Sequence, residues 1–131
     1  MTEFSYVMDV PVRFQDLDAV GHVNNALYAT YLEEARLAYI ADVLGVDARE
    51  SGAVIAHLEI DYRRSVSEDD HVTVALRTLE PGRSSIPMEY EIRAGDDVVA
   101  TAETVLVTTA DDGARPVPDA WRERIAAFEG Y

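Results

Sequence analysis

The hydrophobic period of this chain switches twice, and those switches narrow its fold more than any other feature. Phe4, Tyr6, Met8, Val10, Val12 and Phe14 alternate with mostly polar neighbours, the period-two signature of a half-buried strand. From Asn24 or Asn25, both good helix caps, the residues Tyr28, Leu32, Ala35, Tyr39 and Val43 recur at spacings of three and four until Gly45 offers a stop. Alternation then returns. Ala56, Leu58, Ile60 and Tyr62 make one strand pattern and Val72, Val74 and Leu76 a second. Ile86, Met88, Tyr90 and Ile92 make a third, in which Pro87 indicates an edge or bulge position. Past the turn Ala94-Gly95-Asp96-Asp97, residues 98–109 are apolar on both faces, as expected of a central or doubly covered strand. Residues 119–128, with Trp121, read as a short amphipathic helix. The order β, α, β, β, β, β is an α+β layout: an antiparallel five-stranded sheet wrapped around one long helix, with a short C-terminal helix. One helix and a short tail cannot cover both faces of such a sheet, so the pattern predicts association between copies.

At 131 residues the chain is expected to be one domain over 1–131, able to bury roughly two thirds of its extended surface in one core. No apolar run is long enough to span a membrane, and Met1-Thr2-Glu3-Phe4-Ser5 has neither a basic cap nor an apolar leader. The expectation is a soluble, cytoplasmic protein with no membrane partner. Without cysteine there is no thiolate nucleophile, disulfide or sulfur-ligated metal site, and His22, His57 and His71 have no ligand-like spacing. No metal is expected. A formal charge of −14 argues against nucleic acid, whose binding needs a basic footprint that releases counterions. All eleven basic residues are arginine, and the acids cluster in turns at Glu68-Asp69-Asp70, Asp96-Asp97 and Asp111-Asp112. Two readings of that surface stand side by side: a solubilising charge, or halophilic adaptation, in which salt screens the self-repulsion.

The chemistry concentrates where the first strand meets the long helix. Asp16-Leu17-Asp18-Ala19-Val20-Gly21-His22-Val23-Asn24-Asn25 places two acids, a histidine and two asparagines directly before the helix. A carboxylate and unpaired helix N-terminal amides can then face one pocket, which suits acyl transfer. The backbone amide of Asn25 is the candidate oxyanion donor. Arg63-Arg64 and Arg83-Ser84-Ser85 are the candidate phosphate grips, because the guanidinium fork matches phosphate oxygens. Glu33 and Arg36, three apart on the helix, read as an ordinary surface ion pair.

The pattern Arg13-Phe14-x-Asp16-x-Asp18-x-x-Gly21-His22-Val23-Asn24-Asn25-x-x-Tyr28, followed by Glu33-Glu34-Ala35-Arg36, resembles the 4-hydroxybenzoyl-CoA thioesterase branch of the hotdog-fold superfamily, including its acyl-CoA and acyl-ACP members. The resemblance implies a single hotdog domain and side-by-side homodimers, assembling as dimers of dimers, with active sites at the subunit interface. It implies Asp18 as the catalytic carboxylate, either nucleophile on the thioester or general base for water, with Asn25 and His22 beside it and Asp16 structural. It implies an acyl-CoA substrate gripped by Arg63, Arg64, Arg83, Ser84 and Ser85, and no cofactor beyond the CoA of the substrate. Some hotdog enzymes instead use a helix carboxylate such as Glu33 or Glu34 as base. Competing readings are a non-catalytic acyl-CoA binding or sensing domain on the same fold, and an acyl-ACP thioesterase. Acyl length and aromaticity are not written in these residues.

Overall fold

The computed structural model describes residues 4–131; Met1, Thr2 and Glu3, part of the segment read above for a leader, lie outside the described residues. β1 (Tyr6–Val10) leads through a single 3-10 turn (Phe14–Asp16) to α1 (Leu27–Tyr39). The remaining elements are β2 (Ala53–Tyr62), β3 (Val72–Thr78), β4 (Ser85–Ala94), β5 (Asp97–Ala110), the two-residue β6 (Gly113–Ala114) and α2 (Asp119–Glu129). Every pairing is antiparallel, and the main path runs β1-β3-β4-β5-β2, with β6 folding back on β5. This is the expected five-stranded sheet around one long helix. A short β6 hairpin is added that no two-residue pattern could announce.

Three local expectations are corrected. β1 stops at Val10, because Pro11 has no amide to continue the ladder. Phe14 therefore leaves the alternation and lies 82% exposed. Phe4 is not in the core pattern either: its ring carries the Arg77 and Arg93 guanidiniums at 5.3 and 5.8 Å. Pro87 is in an interior strand, paired with Val105. Its carbonyl accepts from Leu79 N–H at 2.9 Å, so its missing amide faces the side where β3 has just ended and no return bond is needed.

The core lies between α1 and the concave face of the sheet. Tyr28, Leu32, Ala35 and Tyr39 are buried, against Val74, Leu76, Tyr90 and Ile92. Past Tyr39 the helix widens into a π turn (Ile40–Leu44) before Gly45, at φ 71°, turns the chain. α2 closes that end. Trp121 and Ile125 are buried, and Glu129 accepts from the Tyr39 hydroxyl at 2.6 Å and from the Thr78 amide at 2.9 Å.

β2 behaves differently. Leu58, Ile60 and Tyr62 share the helix-side face, as their alternation predicts, since they lie opposite Thr104, Ala102 and Ala100 of β5. Ala56 falls out of that set at a bulge between Ile55 and His57. The face is not a core within one subunit: Ile55, opposite Leu106, and Leu58 and Tyr62 are 41%, 45% and 49% exposed. The outer edge of β2 has no partner strand among the described residues.

Candidate active site

The loop before α1 is held by Asp16. Its buried carboxylate accepts from the Arg13 amide at 3.0 Å and from the Tyr31 hydroxyl at 2.8 Å, while its carbonyl accepts from the Asn24 amide. Burial, reinforced by Asp16, raises the Tyr31 phenol above its ordinary range. Asp16 is thus the structural acid, stapling the loop to the helix.

Asp18, two residues on, is exposed. One of its oxygens, Oδ1, accepts from the amides of Val20 at 2.9 Å and His22 at 3.1 Å. Gly21, at φ 81°, permits the reversal that brings these amides round. The other oxygen has no partner among the described residues. His22 holds Asp18 through its main chain: its amide donates to the carboxylate and its carbonyl accepts from the Asp18 amide at 2.7 Å. The exposed imidazole makes no bond to Asp18, so orientation of the acid does not require it.

The helix start offers the expected donor. Asn24 Oδ1 accepts from Ala26 N–H at 2.9 Å, its carbonyl accepts from Leu27 N–H, and the Asn25 carbonyl accepts from Tyr28 N–H. Among the amides from Asn24 to Tyr28, only that of Asn25 has no partner in the described residues. Asn24 holds the turn that leads into α1, whose N-cap is Ala26; Asn25 keeps an open N–H just before the helix, at the positive end of its dipole.

Asn25 also lines a cleft of about 210 Å³ with Tyr28, Tyr62, Arg63, Arg64 and Ser65. Tyr62, whose alternation with Leu58 and Ile60 predicts a core position, instead donates its hydroxyl to the Asn25 carbonyl at 2.8 Å and meets Tyr28 edge-on with ring centres 4.9 Å apart. The Tyr28 hydroxyl donates to Arg64 O at 3.3 Å, and burial raises its pKa. Arg64 is partly spent on Asp70 at 3.4 Å and Asp97 at 3.5 Å. The Ser67 amide and the Arg64 guanidinium together hold the Asp70 carboxyl below its usual range. Arg63 has no side-chain partner among the described residues and is the freer cation of the pair.

Arg83, Ser84 and Ser85 lie elsewhere. The turn is closed by Gly82 N–H to Ser85 O at 2.9 Å, and Ser84 O accepts from Thr108. The amides of Arg63 and Arg64, by contrast, reach Val99 O. Val99 and Thr108 are nine residues apart on one strand, about 30 Å, so one subunit does not bring the two arginine clusters together. Arg36 also departs from expectation. It is 7% exposed because α1 presents it toward Tyr90 on the sheet, and its contact with the exposed Glu33 is a loose 3.9 Å; it is not a surface pair.

One group among the described residues has metal-ligand composition: His57, Glu59 and Glu103, with ligand atoms within 4.8 Å of one another. Their sequence spacing conceals it, because the β2–β5 register, not the chain, opposes Glu59 to Glu103. All three are exposed on the sheet face away from α1.

Residues 12–125 match the pattern of the Thioesterase-like superfamily. The chain belongs to this superfamily. A solved Thermus thermophilus thioesterase, complexed with coenzyme A and Zn, superposes with a TM-score of 0.91 at 41% identity, covering 100% of this chain and 99% of that one. The 1,4-dihydroxy-2-naphthoyl-CoA hydrolase of Synechococcus elongatus is 35% identical over 101 residues, 72% of this chain and 74% of the relative. Bacillus subtilis YsmA is 31% identical over 90 residues, 68% of this chain but only 61% of that protein's own length. As a thioesterase-superfamily member, the chain carries the loop–helix unit and the Tyr62–Arg64 cleft inside the matched segment. No described helix is long and apolar enough to cross a membrane.

Proposed function

We propose that this protein hydrolyses an acyl-CoA thioester to the free carboxylic acid and CoA, as a homodimer of the 4-hydroxybenzoyl-CoA thioesterase type. The observation that carries the reading is the open Asn25 amide at the start of α1, in the same cleft as the free cation Arg63. An N–H at a helix N-terminus is a fixed donor for the oxygen of a tetrahedral intermediate, and it needs no reorganisation when charge develops.

Asp18 supplies the reacting carboxylate. As a nucleophile, its free oxygen adds to the thioester carbonyl carbon, the C–S bond breaks, CoA leaves as thiolate, and water hydrolyses the resulting anhydride. As a general base, it takes a proton from water, which adds to the same carbon before the C–S bond breaks. In both routes the two amide bonds to Oδ1 fix the carboxylate while the other oxygen works. Arg63 supplies charge for the CoA phosphates. Arg83, Ser84 and Ser85 complete the grip from a second subunit: antiparallel pairing of two β2 edges sets the Ala53 end of one strand beside the Tyr62 end of the other. The kinship with coenzyme A-bound and CoA-thioester-hydrolysing relatives supports a CoA carrier.

Asp18→Asn tests the assignment. It preserves shape and the ability to accept the two loop amides, so the fold should persist while kcat falls by about 10²–10⁴. Steady-state hydrolysis across short, long and aryl acyl-CoAs measures it. Retention of more than about a tenth of wild-type turnover would remove Asp18 from the reaction, against the 10²-fold minimum of that range.

A further inference from the structure

Two tyrosines cross between the helix start and the end of β2, each donating to the backbone of the other's element. The Tyr62 hydroxyl, on β2, donates to the Asn25 carbonyl at 2.8 Å, and the Tyr28 hydroxyl, on α1, donates to the Arg64 carbonyl at 3.3 Å. Their rings meet edge-on. Tyr28 is 1% exposed and fixed within the core, whereas Tyr62 is 49% exposed, so water alone could satisfy its hydroxyl. Burial does not force that bond. Asn25 precedes the helix proper, and the backbone donor to its carbonyl, the Tyr28 amide, stands at a long 3.4 Å. Tyr62 is therefore the nearer partner of this carbonyl, and it is itself seated on the sheet opposite Ala100. Asn24 is held separately, its amide donating to Asp16 O at 2.9 Å and its side chain accepting from the Ala26 amide.

Asn25 is thus fixed from both sides: Asn24 ties it to the Asp16 loop, and Tyr62 ties it to β2. Its open amide lies between the two anchors and takes its direction from them. The same strand end carries Arg63, whose amide, with that of Arg64, donates to Val99 O at 2.8 and 3.3 Å, while Tyr28 grips that end from the helix. We propose that Tyr62 and Tyr28 are positioning residues, a reciprocal clasp that holds the Asn25 amide and Arg63 as one rigid unit with a fixed separation between oxyanion donor and phosphate cation. The inference rests on the thioesterase reading above, in which the Asn25 amide receives the oxyanion. A fixed donor acts only where charge develops, and a misplacement of about 1 Å can cost about 10²-fold in rate. A helix start released from the clasp keeps its N–H and loses its aim.

The experiment measures kcat and KM for Tyr62→Phe, Tyr28→Phe and the double variant, on whichever of the short, long and aryl acyl-CoAs the wild type turns over fastest. Phenylalanine keeps each ring and its edge-on contact and removes only the hydroxyl, and Tyr62 is exposed enough for its variant to fold whatever happens at Tyr28. Tyr62→Phe should lower kcat about fivefold or more, short of the ~10²–10³ that outright loss of a donor costs, with KM little changed because Arg63 is untouched. A fall of less than about fivefold, or one carried by KM instead of kcat, overturns the proposal. Because the two bonds hold one unit, the double variant should lose less than the product of the two single losses, and a full product overturns the clasp. If the wild type hydrolyses none of the series, the reaction assignment falls by itself and the clasp is judged by the Asn25 amide resonance in heteronuclear NMR. That resonance should broaden in Tyr62→Phe, whereas one as sharp as in the wild type overturns it.

Discussion

The two ends of this sheet use similar residues for opposite purposes. At the β1-β3-β4 end, Val74, Leu76, Tyr90 and Ile92 vanish beneath α1, and α2 closes the remaining gap with Trp121 and Ile125. At the β2 end, Ile55, Leu58 and Tyr62 face the same side and are as apolar, with the bulge at Ala56 between the first two, yet remain open to solvent. The sequence distinguishes inward from outward faces but not a face covered by the chain's own helix from one left for something else. Helix length decides: thirteen residues of α1 rise about 20 Å, which suffices for one part of a strongly curved sheet and not for all of it. The uncovered part is where the candidate cleft lies, so burial deferred at β2 leaves apolar surface beside that cleft.

The contrast is broken most severely by mutation in the closed half. Leu32, fully buried, should lose about 3 kcal/mol of stability on replacement by alanine, within the 2–5 kcal/mol typical of core leucines. Leu58→Ala, on a residue 45% exposed, should cost less than about 1 kcal/mol in the isolated subunit. Denaturant unfolding at concentrations low enough to dissociate subunits measures both, and equal losses would erase the distinction between the two halves.

A middle-sized effect concerns the open half. Subunits of formal charge −14 repel one another, and screening shortens from about 10 Å at 0.1 M salt to about 3 Å at 1 M. Association through the apolar β2 face should therefore tighten with added salt, and with it thermal stability. Sedimentation and melting from 0.1 to 3 M KCl provide the measurement, and a dimer equally stable at both extremes would leave the acidic surface as a solubilising coat and dismiss the high-salt reading.

The smallest effect probes the closed half at its rim. Burial and the Asp42 carboxylate push the Tyr6 phenol up to about 12 from 10.0, through a hydrogen bond of 2.6 Å. A raised folded pKa favours the protonated phenol in the native state. This contribution is complete below pH 10 and is lost as pH climbs from 10 to 12, where the unfolded chain ionises first. Stability should fall across that window, less steeply in Tyr6→Phe. Identical slopes for the two proteins would show that Tyr6 is not coupled to folding.

Much of this was legible beforehand because it was periodic or local. Five strand patterns, the long helix and its Gly45 stop follow from spacing alone, whereas the cap expected at Asn24 or Asn25 falls instead on Ala26. Asp16 and Asp18 are not separable by spacing, because residues two apart on an extended chain share a face; the 3-10 turn at Phe14–Asp16 is what sends one inward to Tyr31 and leaves the other exposed. What escaped was set by register or by curvature. The meeting of His57 with Glu103 needs the β2–β5 alignment. Burial of Arg36 needs the angle at which α1 crosses Tyr90, which an i, i+3 charge pair does not encode. The wide separation of Arg63 from Arg83 needs the strand order β4-β5-β2, since in sequence the two clusters are only a short meander apart.

The β2–β5 ladder also orders events in time. β3, β4 and β5 follow one another through short turns and can zip locally, whereas β2 must return from before that meander to pair Ala53 with Thr108 and Tyr62 with Ala100. Loop closure over such separations is slow relative to local hairpins. β2 therefore docks after the β3-β4-β5 meander, and until it does, the long edge of β5 is exposed to the solvent and to its neighbours. The acids at the nearby turns, Asp96-Asp97 and Asp111-Asp112, flank that edge at both ends and discourage premature strand addition. The chain's negative charge thus guards a nascent sheet during the interval in which it is incomplete.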